Sequence, residues 1–194
     1  SSFVPKNTKT MKTIFSLMFA LLLTGSLFAQ DNAPADKSDQ KSKKEQKQAA
    51  LEEQYQKNIA LIETKQFVLE ADFLVRQSGV QDMVSNVLNY ILVDSANSIL
   101  QVGQNYGMGA NGVGGFTAKG TISKWKMDLD NKKKIISIRY TVSAAAIVYN
   151  VLLYLPTNGN ANGTISGYSL SNKVNFVGKL VPLKSSVVFE GRSL

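Results

Sequence analysis

From Gln66 onward the chain alternates. Phe67, Leu69, Ala71, Phe73 and Val75 fall on one side of an extended segment, with Glu70, Asp72 and Arg76 on the other. This is the two-residue period of a half-buried strand. Upstream the period is longer: Leu51, Tyr55, Ile59 and Ile62 follow at steps of four, four and three, which places them on one helical face. The pattern predicts an amphipathic helix over residues 43–65, preceded by a polar, flexible tether over 30–42. After a mixed stretch at 77–88, short strand-like runs recur at 90–94, 98–103, 116–129, 134–143, 146–155, 164–170, 173–181 and 186–190. Turn chemistry separates several of them, at Ser95-Ala96-Asn97, Asp130-Asn131 and Pro156-Thr157-Asn158-Gly159. No run is followed by a long helical pattern, which excludes a parallel α/β sheet. Residues 66–194 are therefore expected to form a mainly β domain of about eight or nine strands, an antiparallel barrel or flattened barrel/sandwich with an N-terminal helix.

The segment 146–155 breaks the alternation. Ile147, Tyr149, Val151, Leu153 and Leu155 make one apolar face, while Val148, Asn150, Leu152 and Tyr154 make a second that is nearly as apolar. A strand apolar on both sides needs cover on both. One face can meet the core; the other requires the helix, a partner or a ligand. Val148, Asn150, Leu152 and Tyr154 are accordingly the candidate ligand-binding residues. As inward positions of a small barrel they would offer apolar area beside one amide able to orient a guest.

Residues 1–29 concern export. Met11-Lys12 precede ten apolar residues, Ile14 to Leu23, then Thr24-Gly25-Ser26 and Ala29, the layout of a secretory signal peptide. Ser1 to Thr10 carry no pattern and are read as an upstream extension. Ten apolar residues are too few for a helix to span a bilayer core of about 30 Å, so no integral membrane span is expected after cleavage near Ala29. The expected location is the periplasm or the cell exterior. The formal charge of +8 falls to +5 when Lys6, Lys9 and Lys12 leave with the leader. Such a charge suits anionic envelope surfaces, and no nucleic-acid partner is expected.

The sequence contains no Cys and no His. That removes thiol catalysis, disulfides, histidine proton transfer, the Ser-His-Asp triad and the common zinc sites, and it makes lipid attachment to a processed N-terminal cysteine impossible. No metal, cofactor or catalytic residue is expected. Gly107-Met108-Gly109-Ala110-Asn111-Gly112 has the spacing of a dinucleotide-binding loop, but a strand follows where a helix is required. Glu70 and Asp72, two apart on one strand, could in principle hydrolyse a glycoside; Arg76 beside them makes a solvated charged face the simpler reading. Asp128, Asp130 and Asn131 hint at a calcium loop that Lys132-Lys133-Lys134 then contradict. Trp125, between Lys124 and Lys126, is expected in the core.

Asn89-Tyr90, Gly112-Val113-Gly114-Gly115-Phe116 with Gly120, Asn158-Gly159-Asn160-Ala161, Phe176-Val177-Gly178 and Val187-Val188-Phe189-Glu190-Gly191 occur in an order that resembles an uncharacterised exported family. It is catalogued as domain of unknown function 4251 and found mainly in Bacteroidetes. The likeness runs from about Glu63 to Gly191. It implies a lipocalin-like barrel or flattened barrel in the cell envelope and supplies no activity. The expected function is that of an exported, non-catalytic envelope module binding a small apolar or amphipathic ligand or an envelope protein. The alternative is a glycan hydrolase using Glu70 and Asp72.

Overall fold

The computed structural model describes residues 37–103, 111–167 and 173–193. The leader, including Ile14 to Leu23 and Ala29, and Gly107 to Ala110 lie outside the described residues. Helix α1 (Lys37–Glu63) is followed by β1 (Gln66–Val75), β2 (Gln81–Met83), β3 (Tyr90–Asp94), β4 (Asn97–Val102), β5 (Phe116–Asp130), β6 (Ile135–Ala144), β7 (Ile147–Leu155), β8 (Ala161–Gly167) and β9 (Val174–Pro182), then one 3-10 turn (Leu183–Ser185). All pairings are antiparallel. β1 pairs with β3 along its first half, with β2 along its second, and with β9 on its other edge. The result is a closed barrel of eight strands, β1 and β3 to β9, with β2 as an extra strand. Closure decides between the two predicted architectures: a sandwich would leave exposed edges that the β1–β9 seam removes.

α1 begins at Lys37, six residues before the predicted start, so the end of the expected tether is helical. This stretch, Lys-Ser-Asp-Gln-Lys-Ser, holds no Gly or Pro and leads into the Lys-, Gln- and Glu-rich residues 43–48, which favour helix. The helix stops where Lys65 takes a left-handed conformation (φ 50°), the usual C-terminal escape. The Thr64 hydroxyl donates to the Leu61 carbonyl and the Lys65 carbonyl accepts from the Ser95 amide, fastening the helix end to the β3–β4 turn. Tyr55 and Ile62 are buried in the barrel core, with Ile59 packed against it. The Tyr55 hydroxyl donates to Asn131 Oδ1 at 2.9 Å, and Lys134 pairs with Glu52 at 2.6 Å. The apolar stripe thus closes on the core and the β5–β6 turn.

An eight-stranded lumen is just wide enough for side chains to fill. Here Phe67, Leu69, Ile91, Leu100, Leu153 and Phe176 fill it, all fully buried. Two bulges set which residues point inward. In β1 the register slips between Ala71 and Phe73, so Asp72 is the extra residue and Leu74, not Phe73, packs on the core. Gly178 lies opposite; a Cβ there would strike the Glu70 carbonyl. In β5 the register slips between Ser123 and Lys126. Lys124 there is left-handed (φ 53°), and Trp125 turns inward against Tyr140 and Phe67, with ring centroids 5.2 and 6.4 Å away.

Residues 186–190, predicted as a strand, pair with no strand. They form an extended strap over the outer face of β1, β3 and β4. Val68, Tyr90 and Ile99 on that face are buried against Leu183 and Val188. The apolar alternation reads the same for a strand and for a strap that covers a sheet face, which is why the pattern misassigned it.

Candidate functional site

β7 alternates cleanly: Tyr149, Val151, Leu153 and Leu155 face the lumen and are buried. Val148, Leu152 and Tyr154 are 50%, 41% and 39% exposed, and Asn150 is exposed with them. The four candidate ligand residues therefore lie outside the barrel and not at inward positions. Two nearly equal apolar faces gave no mark of which would turn inward. α1 does not cover the outer one, since its stripe is engaged at Asn131 and Lys134. The Asn150 amide escapes the cost of unpaired burial by being exposed.

Strand register arranges this outer face in rungs. Ser123, Thr141, Asn150 and Ser166 are successive cross-strand neighbours, and Arg139, Leu152, Thr164 and Asn175 form the next rung. Tyr154 lies one rung further, between Ser137 and Asn162. A groove of about 320 Å³ runs over the first two rungs. Thr141, Asn150, Leu152 and Ser166 line it, and so do three cations, Lys124, Arg139 and Lys173. Arg139 donates to Asp128 through Nη2, and Lys126 contacts the other oxygen of the same carboxylate at 3.2 Å. Hydrogen bonds from Lys126 and then Arg139 hold the Asp128 carboxyl below its usual range. The Thr164 hydroxyl donates to Asn175 Oδ1. Asn150 and Ser166 make no side-chain hydrogen bond to described residues.

Tyr140 lies behind this groove with its hydroxyl fully buried and unpartnered among the described residues. Ser98 faces it but donates its own proton to the Leu92 carbonyl. Burial pushes the Tyr140 hydroxyl well above its ordinary pKa, and does the same to Tyr90, with Glu190 adding to the rise at Tyr90.

Glu70 and Asp72 do not assemble into an acid–base pair. Glu70 accepts from the Ser186 hydroxyl at 2.6 Å beneath the strap, while Asp72 occupies the bulge, where the two-residue period that would align them is broken. Asp128 is consumed by Lys126 and Arg139. Asp130 accepts from the Lys132 and Lys133 amides, a turn cap and not a calcium loop. Among the described residues no group of three or more acidic, His or Cys side chains could hold a metal ion. Gly115 runs straight into β5, so the helix that a dinucleotide would need is absent there.

Three of the motifs that carry the family likeness, Asn89-Tyr90, the loop at 112–116 and the strap at 187–191, come together around Gln101, Asn111 and Thr117. Gln101, fully buried, accepts from the Thr117 hydroxyl at 2.9 Å and from the Gly191 amide at 2.7 Å, and its amide donates to the Phe189 carbonyl at 2.8 Å and the Leu88 carbonyl at 3.1 Å. Asn111 accepts from the Val113 and Gly115 amides and donates to Thr117. Asn89 accepts from the Gly103 amide. These residues satisfy one another and build no open site. Sequence reading missed this network, because Gln101 and Thr117 look like ordinary surface positions of alternating strands. It also missed Lys124 and Lys173 as groove residues, although for Lys173 a signal was available: no Asp or Glu occurs between Asp130 and Glu190.

The family model described as domain of unknown function (DUF4251) matches residues 49–180. The crystal structure of a DUF4251 family protein from Bacteroides eggerthii is similar over 72% of this chain and 94% of its own, at 32% identity and a TM-score of 0.60. No curated protein matches the chain.

Proposed function

The chain belongs to the DUF4251 family, and on that premise we propose that it is an exported, non-catalytic envelope module that binds a small amphipathic ligand on the outside of its barrel, at β6 to β8. One observation carries the reading. The lumen is filled by side chains, whereas the outer face of β7 leaves Val148, Leu152 and Tyr154 exposed beside a groove. A single-sheet barrel normally turns polar side chains outward, and contiguous exposed apolar groups mark sites of interaction. The apolar run Ile14 to Leu23 ending at Ala29 supports export, and the absence of His and Cys from the sequence supports a binding role over catalysis.

Titration of the full chain with an apolar fluorescent probe tests the reading. Saturable binding that is lost in Leu152→Arg, with the melting temperature unchanged, is the expected result. Saturable binding that persists undiminished in a folded Leu152→Arg variant removes this face from consideration.

A further inference from the structure

We propose, resting on the outer-face reading above, that the guest of this groove is an anionic single-chain amphiphile. Its oxyanion head is held by Lys124, Arg139 and Lys173, and its hydrocarbon part lies along Leu152 toward Tyr154. Strands β6 to β9 contain Arg139, Lys179 and no carboxylate, with Lys132, Lys133, Lys134, Lys173 and Lys184 in the adjoining segments. Asp128, the acidic group beside the groove, is already neutralised by Lys126 and Arg139. A surface of one sign concentrates ions of the other.

Lys124 sits at the β5 bulge in a left-handed conformation (φ 53°) that residues other than glycine rarely adopt. Bulges re-aim a side chain out of the strand's normal alternation, and this one lines the groove together with Arg139 on β6 and Lys173 just before β9. Cations from three separate places in the chain thus converge on one space. Arg139 engages Asp128 through one nitrogen of a planar fork whose geometry matches carboxylate and phosphate oxygens.

Asn150 and Ser166 are neighbours on one rung, and their side chains are uncommitted among the described residues. They add neutral donors for oxyanion oxygens. The neighbouring rungs change character to Leu152 and then Tyr154, both partly exposed. A polar, cationic end followed by apolar side chains is the complement of a head and a chain. The groove volume of about 320 Å³ lies at the small end of ligand sites, which suits one head group and a short length of one chain.

Isothermal titration calorimetry on the full chain, with decyl phosphate and neutral 1,2-decanediol below their aggregation concentrations, tests this. Decyl phosphate is expected to bind saturably and at least about tenfold tighter than the diol in low salt, with the advantage shrinking in high salt. The double variant Lys124→Gln/Lys173→Gln should lose that advantage, while Lys179→Gln/Lys184→Gln, outside the groove, should keep it. All four positions are away from the core, and an unchanged melting temperature checks folding. Equal affinity for phosphate and diol overturns the anionic head and leaves the outer-face reading standing. Absence of saturable binding to either overturns both. An equal loss in the Lys179/Lys184 variant reduces the effect to overall charge and overturns the groove. Binding to phosphatidylglycerol vesicles without binding to monomeric decyl phosphate overturns the single-guest site in favour of a membrane surface.

Discussion

The outer face of β1, β3 and β4 and the outer face of β6, β7 and β8 belong to one closed sheet, yet they are finished differently. On the first, Val68, Tyr90 and Ile99 are buried beneath the strap, and Gln101 makes four close hydrogen bonds. On the second, Leu152 and Tyr154 stand open and the Asn150 amide has no partner among the described residues. Each face presents apolar side chains around one amide. The difference is where the chain that follows β9 happens to run. A covered apolar face adds to stability; an uncovered one is available for binding and contributes little to holding the barrel together.

Removing the strap attacks this contrast most directly. A chain ending at Ser186 should expose the small apolar cluster and take from Gln101 its Phe189 and Gly191 partners, at a cost of about 3–5 kcal/mol. The urea midpoint measures it, and an unchanged midpoint would mean the strap merely rests on the barrel. Gln101→Ala should cost about 2–3 kcal/mol, since it strands the Gly191 amide and the Thr117 hydroxyl in a buried place. Asn150→Ala, its counterpart on the open face, should stay within about 0.5 kcal/mol. Equal losses at the two positions would erase the distinction between the faces.

Alkaline pH separates the faces by a smaller amount. Tyr90 lies under the strap and Tyr140 behind the groove, and burial raises both hydroxyls above their unfolded value. The folded chain therefore keeps these protons when the unfolded chain, with tyrosines near pKa 10, has begun to release them. The stability tied to the neutral form is present below about pH 10 and declines as pH rises further. Tyr140→Phe should flatten that decline and change stability at pH 7 by less than about 1 kcal/mol, because the hydroxyl it removes has no partner to lose. A decline as steep in both Tyr140→Phe and Tyr90→Phe as in the unchanged chain would place the sensitivity elsewhere.

Much of the barrel was legible in the chain, and particular residues show why the remainder was not. The two-residue period identified β1, an apolar run ended by the Pro156–Gly159 turn marked β7, and turn residues spaced others, because turn chemistry and alternation act locally. The bulge at Asp72 was invisible to the same rule: a strict period carries Phe73 inward, whereas opposite Gly178 the strand gains a residue and Leu74 takes that place. The helical stripe was correctly placed on one face, but its partner is the lumen's own core and not β7. For the site, the sequence marked Leu152 and Asn150 as exceptional without telling inside from outside. Lys124 and Lys173 entered only through tertiary convergence, which no local spacing encodes.

The seam between β1 and β9 joins the first strand of the barrel to the last, with Val68 opposite Val181. From β3 to β9 each strand lies beside its successor in the chain and can zip up with it as it becomes available. β1 also meets β3 early, but its other edge waits for the end of the domain. Closing so large a loop costs entropy that grows only slowly with length, so the constraint is one of order more than of energy. Before β9 exists there is a curled ribbon with two raw edges and an unsealed interior. A chain that stops before Val174 lacks the strand that pairs with both β1 and β8 and leaves those two edges unpaired. Closure at this seam is what removes the barrel's last two free edges.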